Sequence, residues 1–434
     1  MNVVLAKTET GRAVESLFTV ARDRLPGTGK VADLRRQAFE AYERAGLPHR
    51  RIEEWKYTDL RVLMREVKPL AAKPDAAALE RAKAVLKPIA IAGAAKLVMV
   101  DGVFAPELSD KAPAGVSIGS LREALEKGAG DLLETSTIDA MISLNAALAT
   151  DGVVVSVVDG AALAAPLQLI HVATASSASA FTRSRVKIGK GARVTLVENF
   201  VAVDGAKAYQ AHDAVLLSIG DGAELTQVRL MADGADAVNI TSAIIAIGAR
   251  VKFNLFNMTA GGAVSRFQGF VTMAGERSEL NVNGVNLLKG TQHGDTSLVV
   301  DHAVPHCTSR EVFRAVIDDR AHSVFQGRII VRPHAQKTDG KMMTRALLLS
   351  DEAEADNKPE LEIFADDVTC GHGATAGALD ESLLFYLRAR GLPEKAAQGL
   401  LIQAFVGEAI EGIADDNLRE AVMAAAERWL EARA

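Results

Sequence analysis

The residues best suited to chemistry lie near the C-terminal end, in the segment Thr369-Cys-Gly-His-Gly-Ala-Thr375. If this segment is extended, the side chains of Cys370 and His372 are two residues apart and project from the same face. A thiolate beside an imidazole suits iron, zinc or a sulfur-carrying intermediate. Two ligands do not complete a tetrahedral centre, so the others would come from elsewhere in this chain or from another chain. The alternative is a buried thiol beside a histidine whose hydrogen bonds are satisfied.

A second group of possible ligands lies in the segment Asp301-His-Ala-Val-Pro-His-Cys307, which holds His302, His306 and Cys307. Pro305 disfavours a helix here, so the two histidines are not expected to share a helical face. We therefore expect a role in turn packing or at an interface, with metal binding as the alternative.

An acidic segment follows between residues 351 and 367. Its carboxylates could attract iron, although clusters of this kind are usually solvated loops and strand edges. We therefore interpret the segment as a solvated edge. Its acidic residues are Asp351, Glu352, Glu354, Asp356, Glu360, Glu362, Asp366 and Asp367.

Most standard catalytic signatures are missing from the sequence. It contains no GxxxxGKS/T, HExxH or CxxC motif. The segment Gly189-Lys-Gly191 lacks the spacing of a phosphate-binding loop and leads into a strand pattern instead of a helix. We therefore predict that the protein is not an enzyme by itself, and that it works through partners.

The composition excludes further classes of protein. A formal net charge of −6 gives no reason to expect a nucleic acid or an anionic membrane as a partner. With only two cysteines, a disulfide framework is excluded and a reducing compartment is favoured, so a cytoplasmic location is predicted. The apolar patch at residues 1–7 is too short for a signal peptide, and no run of eighteen apolar residues could span a bilayer.

The elements that would position these residues begin with a mainly helical N-terminal domain, predicted over residues 1–150. Apolar residues three or four apart predict a helix over residues 31–45. The segment Glu53-Glu-Trp-Lys-Tyr57 has no nucleophile–base pair and is interpreted as a structural anchor. A hairpin is predicted over residues 96–104, and a further helical pattern over residues 138–148.

Short strands with alternating polarity replace helices over residues 151–375, and one turn sequence recurs there. A turn–strand unit every ~25–30 residues is typical of a stacked array, because one unit cannot bury its apolar face alone. We therefore predict a mainly β fold, with a right-handed parallel β-helix (a β-solenoid) between helical ends. The alternative is an antiparallel sandwich. The recurring sequences are Ile188-Gly-Lys-Gly-Ala-Arg-Val-Thr195, Ile219-Gly-Asp-Gly-Ala-Glu-Leu-Thr226 and Ile247-Gly-Ala-Arg-Val-Lys-Phe253.

The C-terminal domain, residues 376–434, is again predicted to be helical. The helix predicted over residues 394–410 is apolar nearly all round, so it needs covering on more than one side. Either the solenoid or a partner protein could cover it. The last helix has a single apolar stripe, formed by Leu418, Val422, Met423, Ala426, Trp429 and Leu430.

Taken together, several motifs resemble the SufB/SufD family of the SUF iron–sulfur cluster assembly machine. The resemblance extends over nearly the whole chain, and the form of the Cys370–Thr375 motif matches the SufD side of the family. The motifs are Glu54-Trp-Lys-Tyr-Thr58, Pro305-His-Cys-Thr-Ser-Arg-Glu311, Val324-Phe-Gln-Gly-Arg-Ile-Ile-Val-Arg-Pro333, Gln336-Lys-Thr-Asp339, Leu347-Leu-Leu-Ser-Asp351, Lys358-Pro-Glu-Leu-Glu-Ile363, Cys370-Gly-His-Gly-Ala-Thr375 and Leu384-Phe-Tyr-Leu-Arg-Ala-Arg-Gly391.

This resemblance implies a scaffold subunit in a complex with SufB and two copies of the ATPase SufC. It implies that the solenoid pairs with that of SufB through its late strands, and that the C-terminal helices dock SufC. A nascent iron–sulfur cluster would be shared at the SufB interface, with His372, and Cys370 as a hypothesis, among its ligands. Whether the complex binds a flavin is not readable from this sequence.

Two alternatives come from other classes. Parallel β-helices also occur in carbohydrate-active enzymes, which need grouped carboxylates and exposed aromatic residues for sugar stacking. Aromatic residues make up only 5% of this chain, and both tryptophans, Trp55 and Trp429, lie outside the predicted solenoid. The other alternative is a structural homodimer without metal chemistry, formed when SufB is absent.

Overall fold

The structure is a computed structural model that describes residues 9–135, 137 and 139–432. The apolar patch at residues 1–7 and the predicted helical position Ile138 lie outside the described residues. No helix of the described ranges is long and apolar enough to cross a membrane. The helices found are α1 (Glu9–Ala21), α2 (Lys30–Ala45), α3 (Leu60–Leu63), α4 (Ala76–Leu86), α5 (Leu121–Glu126), α6 (Ala140–Leu148), α7 (Glu381–Ala389), α8 (Glu394–Ile410) and α9 (Asp416–Ala432).

Strands make up most of the remaining chain. Two of them, β1 and β2, form the hairpin predicted on Asp101-Gly102, and this prediction is confirmed. The strands are β1 (Ala95–Val100), β2 (Val103–Phe104), β3 (Val116–Ser120), β4 (Val153–Val157), β5 (Leu167–Ala173), β6 (Ser179–Ile188), β7 (Arg193–Ala202), β8 (Gln210–Ile219), β9 (Glu224–Ala232), β10 (Val238–Ile247), β11 (Lys252–Thr259), β12 (Val264–Met273), β13 (Glu279–Leu288), β14 (His293–His302), β15 (Thr308–Ile317), β16 (His322–Val331), β17 (Asp339–Leu348), β18 (Glu354–Ile363) and β19 (Thr369–Gly377).

Two long sheets form the body of the protein. Sheet A has the strand order β18-β16-β14-β12-β10-β8-β6-β4-β3, and sheet B has the order β19-β17-β15-β13-β11-β9-β7-β5-β1-β2. From β4 onward the paired strands are parallel, and consecutive strands go to opposite sheets. Each coil of the chain therefore adds one strand to each sheet. This confirms the parallel β-solenoid and rules out the antiparallel sandwich, while the right-handed coil stays a prediction.

The glycine that follows the isoleucine in each recurring turn sequence is required because neighbouring coils stack closely. A Cβ atom on Gly220 would lie 2.7 Å from the backbone nitrogen of Lys190 in the preceding turn. A Cβ atom on Gly189 would lie 2.5 Å from the backbone nitrogen of Asp159. Because real Cβ atoms essentially never come this close, the repeat seen in the sequence reflects direct contact between neighbouring turns.

Apolar side chains from both sheets fill the interior of the solenoid, and helices cover its outer faces. Helices α1, α2 and α6 pack on sheet A through a cluster that includes Phe181 and Ile240. Helices α8 and α9 pack on sheet B, where Ile402 belongs to one buried cluster with Val285 and Val316. Helix α8 therefore lies between sheet B and α9, which explains its nearly continuous apolar surface without a partner protein.

The boundaries of the proposed domains fall near element ends. Helix α6 ends at Leu148 and β4 begins at Val153, on either side of the boundary at residue 150. Strand β19 continues to Gly377, two residues past the boundary at residue 375. Strands β1 and β3 already belong to the two sheets, so the N-terminal part contributes to the solenoid. The division into three domains stays a prediction.

Candidate metal centre

Strand β19 carries Cys370 and His372 at the C-terminal end of sheet B. It pairs with β17 along one edge, and no strand of the described ranges pairs with its other edge. Strand β18 ends sheet A in the same way. The backbone N–H and C=O groups along these two edges are therefore open to another chain.

Cys370 and His372 project from the same face of β19, as expected for an extended segment. In the parallel register Cys370 lies beside Gly340, and His372 lies beside Met342, which is buried in the interior cluster. Cys370 packs against that cluster and is half-buried, whereas His372 is exposed. The two donors therefore face the open end of the solenoid interior.

The thiol of Cys370 is held in its protonated form. Burial raises the pKa of Cys370 above its usual range, and the nearby carboxyl groups of Asp339 and Glu311 raise it further. A hydrogen bond from the backbone of Gly340 acts in the opposite direction. Because the thiolate is the metal ligand, Cys370 must lose its proton when a metal binds.

Glu311 is a buried carboxyl group close to this pair that the sequence reasoning missed as a possible functional residue. It lies two strands from His372 in one column of sheet B, with Met342 between them. Glu311 is 1% exposed, and neither carboxyl oxygen has a hydrogen-bond partner within the described part of the chain. Burial raises the pKa of Glu311 to about 8, so the neutral acid predominates at pH 7. Its place in the alternation of β15, with the buried residues Ser309 and Phe313, was the available signal.

The second group of candidate ligands does not converge on a site. His302 is buried at the end of β14, and its Nε2 lies 3.0 Å from Oγ of Ser309. His306 is exposed in the following turn, where its φ is 61°. Cys307 is buried in the interior cluster, and burial raises the pKa of its thiol. The expected role in turn packing fits this arrangement.

The acidic residues between 351 and 367 lie on β18 and in the turns beside it, and several form ion pairs. Arg328 lies 3.4 Å from a carboxylate oxygen of Glu360 and 3.4 Å from one of Glu362. Nε2 of His322 lies 2.8 Å from Oδ2 of Asp356. Arg328 on the neighbouring strand β16 thus balances two of these carboxylates, in agreement with the interpretation as a solvated edge.

The segment Glu53–Tyr57 anchors the N-terminal part to the solenoid. Trp55 is 1% exposed and its indole N–H donates a 3.1 Å hydrogen bond to Asp139. The guanidinium of Arg266 on β12 lies 3.9 Å from the centre of the Trp55 ring. Arg266 also donates a 2.7 Å hydrogen bond to the backbone oxygen of Glu54. The interpretation as a structural anchor is therefore supported by contacts.

Helix α7, which follows β19, exposes large apolar side chains. None of its residues is buried. Phe385 is 75% exposed, Tyr386 53% and Leu383 51%, and Leu400 on α8 is 46% exposed. An exposed apolar patch of this kind commonly marks a protein–protein contact.

Two protein-family models match the chain. A model described as "SUF system FeS cluster assembly, SufBD core domain" matches residues 171–405, and one described as "SufBD protein N-terminal region" matches residues 15–169. The core match contains most of the solenoid and the whole Cys370–His372 segment.

Curated relatives agree with these matches. The iron–sulfur cluster assembly protein SufD of Escherichia coli K12 is 30% identical over 403 residues, which cover 89% of this chain and 90% of the relative. An iron–sulfur cluster assembly SufBD family protein of Synechocystis is 30% identical, covering 85% of this chain and 84% of the relative. SufD of Bacillus subtilis is 25% identical over 66% of each chain.

Proposed function

Because this chain belongs to the SufBD family of iron–sulfur cluster assembly proteins, in its SufD-like form, we propose that it is a non-ATPase scaffold subunit that pairs with SufB. The observation that carries the proposal is the position of Cys370 and His372 on the last strand of sheet B, whose outer edge is open in the described structure. Two donors at an open edge are an incomplete metal centre, which a second chain can complete. Iron and sulfide are the substrates of such a site.

Pairing with SufB would use the open edges of β18 and β19. Unpaired strand edges are templates for the addition of another strand, because their backbone donors and acceptors stay available. A SufB strand beside β19 would bring its own side chains next to Cys370 and His372. The nascent cluster would then be shared by the two chains, with His372 offering an exposed imidazole and Cys370 a thiolate after loss of its proton. The low cysteine content supports a reducing, cytoplasmic location for this assembly.

We assign the contact with the ATPase SufC to the exposed apolar side chains of α7 and to Leu400 on α8. The buried side of α8 is occupied by sheet B and α9, so it is not free for a partner. Leu383, Phe385, Tyr386 and Leu400 remain exposed and form the available apolar surface. ATP chemistry would then belong to SufC, which is consistent with the missing phosphate-binding motif in this chain.

The shared site is tested by replacing His372 with Ala in a complex co-expressed with SufB and SufC and purified anaerobically. We expect the visible absorption of the assembled cluster to be lost, while the melting temperature of the isolated chain stays unchanged because His372 is exposed. His334→Ala, at another exposed histidine, serves as the matched control. An unchanged cluster yield in His372→Ala would contradict the proposal.

The contact with SufC is tested by the double substitution Phe385→Ser and Tyr386→Ser. We expect SufC to be lost on co-purification, while SufB is retained. Phe364→Ser is the control, because Phe364 is 59% exposed but lies directly after β18 instead of on α7. These substitutions are preferable to truncation after Gly391, which would uncover the apolar outer face of sheet B. Stoichiometric retention of SufC by the double variant would contradict the assignment of the SufC contact to α7.

A structural homodimer without metal chemistry is the second candidate, and the same open edges favour it. In the absence of SufB, a second copy of this chain could pair along β18 and β19. Light scattering on the isolated chain measures this state. If the homodimer persisted when SufB was supplied in equal amount, the homodimer would be preferred over the proposed complex.

A further inference from the structure

Three potential metal ligands converge inside the solenoid, far along the chain from Cys370 and His372. They are His171 on β5, Glu198 on β7 and Asp213 on β8, so both sheets contribute. One donor atom from each residue lies within 4.8 Å of the other two. Nε2 of His171 lies 4.0 Å from Oδ1 of Asp213. Metal bonds of roughly 2.0–2.2 Å place two ligand atoms on opposite sides of an ion about 4 Å apart. The distance between the His171 and Asp213 atoms is therefore the one expected if an ion lay between them.

Two of these donors are buried without a hydrogen-bond partner. Nε2 of His171 and Oε1 of Glu198 have no partner in the described part of the chain. The side chain of His171 is 11% exposed and that of Glu198 is fully buried. Leaving a buried polar atom unpaired costs about 1–3 kcal/mol, and more for a charged group. Two unpaired atoms within one group of converging residues therefore indicate a missing ligand.

Surrounding residues hold the two carboxylates in place. Arg229 donates a 2.6 Å hydrogen bond to Oε2 of Glu198, which leaves Oε1 free. Thr182 donates a 2.6 Å hydrogen bond to Oδ1 of Asp213, and Thr241 donates one of 3.3 Å to Oδ2. Partners of this kind orient metal ligands in known sites.

The imidazole of His171 is held by aromatic stacking. Its ring stacks on Phe200 with the ring centres 4.5 Å apart and the planes at 8°. The stacked ring carries Nε2, which has no hydrogen-bond partner in the described part of the chain.

A small cavity adjoins two of the three donors, those of His171 and Asp213. It has a volume of about 40 Å³ and is lined by His171 and Asp213, among others. This exceeds the roughly 10–15 Å³ that one water molecule needs. Ala71 and Asp101 line both this cavity and an outer groove of about 770 Å³.

We propose that His171, Glu198 and Asp213 form an internal binding site for a divalent first-row transition cation. One imidazole and two carboxylates suit Mn²⁺, Fe²⁺ or Zn²⁺. The site belongs to this chain alone and needs no partner subunit. It goes beyond the scaffold function and does not rest on it.

The test uses the full chain in a Cys370→Ser, His372→Ala background, which removes the ligand pair on β19. After treatment with a chelator, the protein is titrated with Co²⁺, and binding is followed by calorimetry and by the visible d–d absorption of the ion. We expect one equivalent to bind without thiolate charge-transfer bands. If this protein binds no stoichiometric Co²⁺, the proposal is overturned.

Matched variants locate the site. His171→Phe keeps the stacking on Phe200 and should lower Co²⁺ affinity by more than about 100-fold, beyond the 10–100-fold effect of outer residues. Asp213→Asn keeps the shape of the side chain and should also weaken binding. His212→Phe is the control, because His212 is equally buried and stacks on Phe181 but is not one of the three donors. Affinity unchanged in His171→Phe and Asp213→Asn, with both variants folded by circular dichroism, would assign the ion elsewhere and refute the site.

Discussion

Glu311 and His372 occupy one column of sheet B, separated only by Met342 in the register of three neighbouring strands. The buried member of this pair is a neutral carboxylic acid at pH 7, and the exposed member is a candidate metal ligand. The interior of the solenoid thus ends in a protonated group beneath the open edge. This relationship gives the stability of the protein a specific dependence on pH.

The contribution of Glu311 to the free energy of unfolding should decrease as pH rises from about 4.5 to about 8. The unfolded chain ionises Glu311 near 4.5, whereas burial raises the pKa in the folded chain to about 8. Between these values Glu311 is protonated in the folded state and ionised in the unfolded state, so this group makes rising pH favour unfolding. Glu311→Gln should remove this loss and be more stable at pH 8 by a few kcal/mol, since one pKa unit equals about 1.4 kcal/mol. Urea unfolding at pH 5 and pH 8 measures the difference.

The control for this experiment is Glu224→Gln, at an exposed position on β9. It should leave the pH dependence of the wild-type protein unchanged. Equal pH dependence in Glu311→Gln and the wild-type protein would show that Glu311 is not the group responsible.

The two cysteines should differ in their reaction with a thiol reagent. Cys370 is half-buried on an edge strand, whereas Cys307 is 0% exposed inside the solenoid. One thiol per chain should therefore react in the native protein, and slowly at pH 7, because burial and nearby carboxyl groups raise the pKa of Cys370. Ellman's reagent should detect the second thiol only after unfolding. A fast reaction of the Cys370→Ser variant under native conditions would contradict the burial of Cys307.

Trp55→Ala should destabilise the protein by about 3–5 kcal/mol, the usual effect of removing a large buried aromatic side chain. The substitution also removes the hydrogen bond to Asp139 and the ring beneath Arg266. Tyr57→Ala, two residues away at a half-buried position, should have a smaller effect. Chemical denaturation of both variants is the measurement, and equal losses would argue against Trp55 as the anchor.

Ile402 and Leu400 form a matched pair on α8. Ile402 is 0% exposed against sheet B, so Ile402→Ala should cost about 2–5 kcal/mol. Leu400 is 46% exposed, and Leu400→Ala should change the free energy of unfolding by less than about 0.5 kcal/mol. Thermal unfolding distinguishes the two variants. A large effect of Leu400→Ala with no effect of Ile402→Ala would mean that the opposite face of α8 contacts the solenoid.

The features that the sequence determined by itself are those with a local period. The recurring glycine turns predicted the solenoid, because each coil repeats the same steric requirement at Gly189 and Gly220. The spacing of Cys370 and His372 placed both on one face, because side chains alternate along any strand. The hairpin on Asp101-Gly102 was predicted for an equally local reason, since these residues accept the positive φ values of 47° and 80° that the turn requires.

The features that only the tertiary structure decided depend on which coils become neighbours. The sequence left open what covers α8, because an apolar surface can pack against the same chain or against another protein. In the fold, α8 packs against sheet B and α9. The alternation of β15 indicated that Glu311 faces inward, but the lack of a hydrogen-bond partner depends on the strands stacked on either side. His171, Glu198 and Asp213 are far apart along the chain and meet only because the coil returns at a fixed register. The stacking of the coils determines which residues are in contact across the solenoid. No local pattern in the sequence specifies which coils become neighbours.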